Sequence, residues 1–171
     1  AFVMDRKANR SGTLQEAIAV TAELKPTFTH DDIMERSRKV IRTLVQNGST
    51  HVRAHAEFDP GQGFTGFDAV LQLREGIFKY PGTEAMMVEA MEKGADVVGG
   101  IPYNDRDAKE HVDFVFDLAK KYDKDIDLHQ DFSDNATNIS IDYVAQKTIE
   151  MGWQGRVSVG HLTSLGALEP A

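Results

Sequence analysis

Asp125-Ile126-Asp127-Leu128-His129-Gln130-Asp131-Phe132 and Arg156-Val157-Ser158-Val159-Gly160-His161-Leu162-Thr163-Ser164 each contain a short apolar strand that ends at a histidine. Between them Ile141, Val144, Ala145, Thr148 and Ile149 recur at helical spacing, and Gly152 stops the run. Upstream, Asp96 to Pro102 reads as a buried strand with a tight exit. A helix follows from about Arg106 to Tyr122, with Ala108, Val112, Val115, Ala119 and Tyr122 on its inner face. Strand, helix, strand, helix, strand with short links means right-handed crossovers and a parallel sheet. Repeats of about 30 residues suit either a βα barrel or a doubly wound sheet, and periodicity leaves both open. In a parallel barrel the chemistry sits at the C-terminal ends of the strands. Imidazoles placed there can bind a metal or move a proton.

The pattern is less regular toward the N-terminus. Residues to about Gly12 are polar, with Arg6, Lys7 and Arg10 on a solvated loop. Thr13-Leu14-Gln15-Glu16 has the form of a capping box and predicts a helix to about Leu24, stopped by Pro26. Thr29 is placed to cap a second helix whose apolar stripe is Ile33, Val40, Ile41, Leu44 and Val45, ended by Asn47-Gly48. From Thr50 to Phe58 the residues alternate, with Val52, Ala54, Ala56 and Phe58 on one face and His51, Arg53, His55 and Glu57 on the other. Gly61 to Gly66 reads as a loop and Phe67 to Glu75 as a helix. No strand separates that helix from the next one, which Thr83 would cap and which runs to about Lys93. The expected rhythm breaks where Glu75 meets Gly76.

The chain has 171 residues, enough for one domain with a sizeable core, and residues 1–171 are read as a single domain. A net charge of −8 lacks the basic clusters of a nucleic-acid surface. Cysteine is absent, which excludes disulfides, thiolate metal sites and a cysteine nucleophile and fits a reducing cytoplasm. No apolar run approaches the roughly 20 residues of a membrane span, and the opening Ala1 to Lys7 does not read as a signal peptide, since charge arrives before any long apolar region.

His129 and His161 are the leading candidates for chemistry. Either ring can present a nitrogen to a divalent metal at roughly 2.0–2.1 Å, and a metal so held brings the pKa of its water toward roughly 7. The plainer reading is a hydrogen-bonded histidine at a strand end; two on neighbouring strands favour function. Asp131, two residues beyond His129, shares its direction if the segment is extended. It is read either as a general acid/base or partner of His129, or as the cap of the following helix. His55 and Arg53 are expected near substrate as part of a polar inner layer. His30 and His111 are expected to be solvent-facing or simply packed. Ser164 lacks the Gly-x-Ser-x-Gly setting of a hydrolase elbow, and Gly99-Gly100 lacks dinucleotide-binding spacing.

At these residues the chain resembles the cytosine deaminase branch of the amidohydrolase superfamily, and also the N-isopropylammelide amidohydrolases. The matching segments are His51 to His55, Gly94 to Pro102, Leu118 to His129 and Gly155 to His161, in order over most of the chain. The resemblance implies a (β/α)8 TIM-type barrel of the metal-dependent hydrolase kind, of which this sequence represents part. It implies one divalent metal ion, zinc or iron, with His129 as the fifth-strand ligand. His161 takes the sixth-strand position that orients water or shuttles its proton. The family's first-strand His-x-His would fall before Ala1, its third strand between Glu75 and Gly76, and its last strands beyond Ala171. The sequence is therefore expected to be an incomplete record of a longer chain. Phe132 stands where cytosine deaminases carry a proton-shuttling glutamate, which implies either that Asp131 substitutes for it or that the substrate is not cytosine; Phe132 itself is expected to contact substrate.

The expected function is metal-dependent hydrolysis of a C–N bond in a nitrogen heterocycle or cyclic amide. His161 and Asp131 are the expected catalytic groups, His129 the metal ligand, and Arg53, His55 and Phe132 the substrate contacts. The expected partner is a small heterocycle, with neither nucleic acid nor membrane, and a homo-oligomer is compatible. Two alternatives are a barrel that binds a small ligand without metal or catalysis, and an isomerase or aldolase. The latter lacks an evident phosphate loop or Schiff-base lysine.

Overall fold

The structure is a computed structural model, and it describes residues 7–50, 77–78, 81–133, 136–137 and 139–168. The chain divides into two compact units, Ala1–Leu71 and Gln72–Ala171.

In the first unit, α1 (Leu14–Leu24) starts where Thr13 accepts a hydrogen bond from the Glu16 N–H at 3.3 Å. The Glu16 carboxylate does not close the expected box onto Thr13; it accepts from the Ser11 N–H at 2.5 Å instead. A 3-10 turn, Lys25–Thr27, follows with Pro26 near its start, a place where the missing proline N–H is tolerated. Thr29 caps α2 (His30–Gln46), accepting from the Asp32 N–H at 3.3 Å. The expected apolar stripe on α2 is only partly covered: Ile33, Val40 and Leu44 are half-buried, Ile41 and Val45 are exposed, and no residue of the helix is fully buried. Periodicity establishes that a helix has an apolar face, but not that something lies against it.

Among the described residues of the second unit the first helix is α3 (Thr83–Glu92). Gly82, at φ +95°, is its cap, and the expected cap Thr83 is already helical and buried. Then come β1 (Val97–Gly100), α4 (Ala108–Tyr122), β2 (Asp125–Gln130), α5 (Ile141–Glu150) and β3 (Val157–His161). The strands form a parallel sheet in the order β1-β2-β3. The alternation anticipated from sequence is present, so the chain is α/β with a parallel sheet.

One face of the sheet is the core. Val98, Ile126 and Leu128 lie beneath α4, whose Val112, Val115, Phe116 and Ala119 are fully buried. Burying such side chains contributes roughly 1.5–3 kcal/mol each. The opposite face, with Gly99, Asp127 and His129, is only half-buried. Asp107 caps α4 by accepting from the N–H groups of Lys109 and Glu110 at 2.8 and 3.1 Å. Asp123 ends the helix in a left-handed conformation at φ +52°, which aspartate tolerates better than most residues. Across the helix pair, Asp113 accepts from Tyr143 Oη at 2.8 Å and from Lys147 at 2.5 Å, tying α4 to α5.

Candidate active site

β2 and β3 run side by side with His129 opposite Gly160 and Gln130 opposite His161. Partners in register on a parallel sheet share a face, so His161 would follow Gln130 into the core. It does not. His161 and Leu162 both adopt positive φ, +79° and +56°, at the end of the strand. The turn sends the His161 ring back toward β2, and its Nε2 lies 2.7 Å from His129 Nδ1, with ring centroids 4.8 Å apart. One imidazole N–H therefore donates to the other ring. Phe132 stacks on His161 at 4.4 Å and 24°, and Tyr103, from the β1 exit, meets Phe132 edge-on at 6.2 Å. Sequence reading missed Tyr103; the Pro102 turn that starts the strand exit was its only signal.

Asp131 is fully buried, and its contacts are those of the second role expected of it, the helix cap. β2 ends at Gln130 and Asp131 itself has φ +47°, so the extended geometry that would align it with His129 stops one residue short. Its carboxylate accepts from the N–H groups of Ser140 and Ile141 at 3.1 and 3.0 Å, and from Gln130 Nε2 at 2.8 Å. Ser140, the residue before α5, makes no side-chain cap of its own. Asp131 supplies that cap from nine residues upstream, as an anionic group on unpaired helix donors.

His111 is also more engaged than expected. It is fully buried, and its Nε2 accepts from the Ile101 N–H at 3.0 Å. That bond assigns the proton to Nδ1, which donates to Asp105 at 2.7 Å. Burial holds the imidazole below its ordinary pKa, against the pull of the Asp105 charge. Burial also pushes the Asp105 carboxyl up. Hydrogen bonds from His111 and from the N–H groups of Phe78 and Arg106 outweigh that and leave it below the ordinary range. His30 is exposed, as expected. Arg53, His55 and His51 lie outside the described residues.

Among the described residues no group of three or more His, Asp or Glu side chains is gathered to hold a metal ion. Two nitrogens on a tetrahedral zinc at about 2.0–2.1 Å would stand roughly 3.3 Å apart. The 2.7 Å separation of His129 Nδ1 and His161 Nε2 is instead a hydrogen bond. A hydrogen-bonded pair of this kind is compatible with one ring as a ligand and the other as its orienting partner, and the second ring nitrogen of His129, Nε2, is enclosed. The residues present fit one position of a metal site.

No protein-family model matches the sequence. The N-isopropylammelide isopropyl amidohydrolase of Pseudomonas sp. (strain ADP) is 30% identical over 90% of this chain, which covers 42% of that protein. The pterin deaminase of Rhizobium rhizogenes is 21% identical over 95% of the chain, covering 41% of its length. Among solved structures, a 5-methylcytosine deaminase from Klebsiella pneumoniae liganded with phosphonocytosine matches with a TM-score of 0.85 and 31% identity. The match covers 94% of this chain and 44% of that one. The chain thus spans less than half the length of each of these three relatives.

Proposed function

Since this chain belongs to the amidohydrolase superfamily, in its cytosine-deaminase-like branch, we propose that it is part of a hydrolase that cleaves a C–N bond in a small nitrogen heterocycle. The observation that carries the reading is the 2.7 Å contact between two imidazoles at the C-terminal ends of adjacent parallel strands. Relatives named as amidohydrolase and deaminase support the same reaction class.

In this proposal His129 holds a divalent metal, zinc or iron, through Nε2. The metal would supply a Lewis acid that activates water at neutral pH. With Nε2 committed, the His129 proton sits on Nδ1 and donates to His161 Nε2. His161 therefore fixes the tautomer and ring plane of His129, and its Nε2, which already accepts the His129 N–H, can take up only that proton across the bond. Phe132 and Tyr103 offer aromatic surface to a planar ring. Phe132 cannot transfer a proton, so the proton for the leaving nitrogen comes from another group. Asp131, buried as a helix cap, is not that group in this proposal. Arg53 and His55 are proposed to contact substrate. Residues 1–171 are proposed to form part of one (β/α)8 barrel domain acting in the cytoplasm, where a homo-oligomer is compatible. Among the described residues no helix is long and apolar enough to cross a membrane.

The test is metal analysis of the complete hydrolase of which this chain is proposed to be part, together with release of ammonia or amine from cytosine, 5-methylcytosine, pterin and N-isopropylammelide. Stoichiometric zinc or iron is expected, with turnover lost on chelation and in His129→Ala. Turnover that survives chelation, or a metal-free protein that binds these heterocycles without converting them, refutes the proposal. The second outcome would favour a binding barrel.

A further inference from the structure

The two strand exits are joined beyond the end of the sheet. Leu162 N–H donates to Gln130 O at 3.0 Å, Ser164 N–H and Oγ donate to Asp131 O at 3.0 and 2.7 Å, and Thr163 Oγ1 donates to Ser133 O at 3.2 Å. Asp131 lies at the centre of these bonds. Its backbone carbonyl holds the turn after β3, while its carboxylate holds the start of α5 through Ser140 and Ile141. Three residues around this junction, Asp131, His161 and Leu162, have positive φ. Asp tolerates that conformation, but Leu162 does so only against steric cost. Such backbone persists where surrounding bonds over-determine it. Without the turn at His161, the strand register would carry its ring into the core beside Gln130 and away from His129.

We propose that Asp131 is a positioning residue: it fastens the exits of β2 and β3 to the start of α5 and so holds His161 in the left-handed turn that brings its ring to His129. The inference rests on the reading of His129 and His161 as the site, but its test does not require turnover. Asp131 touches neither imidazole in this account; it acts through the backbone that aims them. A residue that only capped α5 would have no hold on His161.

The experiment is ¹⁵N NMR of the full chain without added metal. It reads the nitrogen–nitrogen coupling across the His129–His161 hydrogen bond, and urea midpoints are measured alongside. The unsubstituted chain is expected to show the coupling; its absence overturns the proposal. Asp131→Ala is expected to abolish it, because both clasps loosen and alanine disfavours positive φ. Asp131→Asn is expected to restore it, since the amide oxygen still accepts and asparagine tolerates the backbone. Val144→Ala destabilises α5 from its buried side without touching the exits, and should leave the coupling intact. Asp131→Ala that lowers the midpoint yet keeps the coupling makes Asp131 a helix cap only and refutes the idea. Should that variant not fold, Ser164→Ala decides the matter: it keeps the carboxylate cap and removes the hydroxyl bond to Asp131 O. At least a halving of the coupling is expected, and an unchanged value overturns the proposal. A coupling that behaves as expected in a protein without metal or turnover would sink the proposed function while leaving this inference standing.

Discussion

Acidification from pH 7.5 to 5.5 should destabilise the sheet-bearing unit through one residue outside the candidate site, His111. The folded state holds this ring neutral, with Nδ1–H on Asp105 and Nε2 accepting from the Ile101 N–H. A second proton would set an N–H against the Ile101 N–H in a fully buried site, so the folded pKa lies below the ordinary 6.5. The unfolded chain has no such barrier and takes up the proton as pH falls through about 6.5. The unfolded state therefore binds more protons, and stability falls with falling pH, by up to about 1.4 kcal/mol per unit. Between pH 7.5 and 5.5 the loss from this residue is at most about 1.4 kcal/mol. Asp105 acts in the same direction but only as pH falls through about 3.9, where its unfolded counterpart is half protonated. The assay is urea unfolding across this pH range, followed by fluorescence of Trp153, the single tryptophan of the chain. The comparison is His111→Gln, which is neutral throughout. The wild-type curve should steepen below pH 6.5 relative to the variant, which should be less stable at pH 7.5. Parallel curves for the two proteins would refute the buried neutral assignment.

Gly100→Ala should disturb the same pair. A Cβ there would lie 2.3 Å from His111 Nε2 and 3.1 Å from Val115 Cγ2, so the ring must move, at a cost of roughly 1–3 kcal/mol in urea unfolding. Phe116→Ala removes a fully buried ring from the face of α4 beneath the sheet and should cost roughly 3–5 kcal/mol by the same measurement. Asp107→Ala removes the α4 cap and should cost about 1 kcal/mol, with Asp107→Asn recovering most of it. Metal removal by chelation should leave the fold, read by circular dichroism, largely intact while abolishing turnover, because the described core is hydrophobic and is built without the metal.

Much of the second unit is legible in the sequence because its signals are local. The strand at Val97–Gly100 and the helices around Val112 and Val144 follow from apolar spacing and from glycines placed after helix ends. Thr13, Thr29 and the two strand-end histidines are equally readable. Thr83 shows the limit of that reading, since a threonine before an apolar run is a cap only if its own backbone stays outside the helix, and Gly82 takes that place. The stripe on α2 shows another, because Ile41 and Val45 declare a face without saying what meets it.

The sequence by itself determined the alternation of strand and helix, the parallel sheet, and the placement of His129 and His161 at neighbouring strand ends. Those depend on periodicities of two and 3.6 residues and on capping within one turn. Only the tertiary structure decided that the two rings meet, that Asp131 is buried as the cap of α5, and that His111 is locked neutral against Asp105. Each of the first two depends on where the backbone turns after a strand. The turn at His161 is set by bonds to residues some thirty positions away, such as Ser164 to Asp131. A side chain's direction at a strand end follows from φ at that residue. When long-range hydrogen bonds hold φ in the left-handed region, the alternation written in the sequence no longer predicts which way the side chain points.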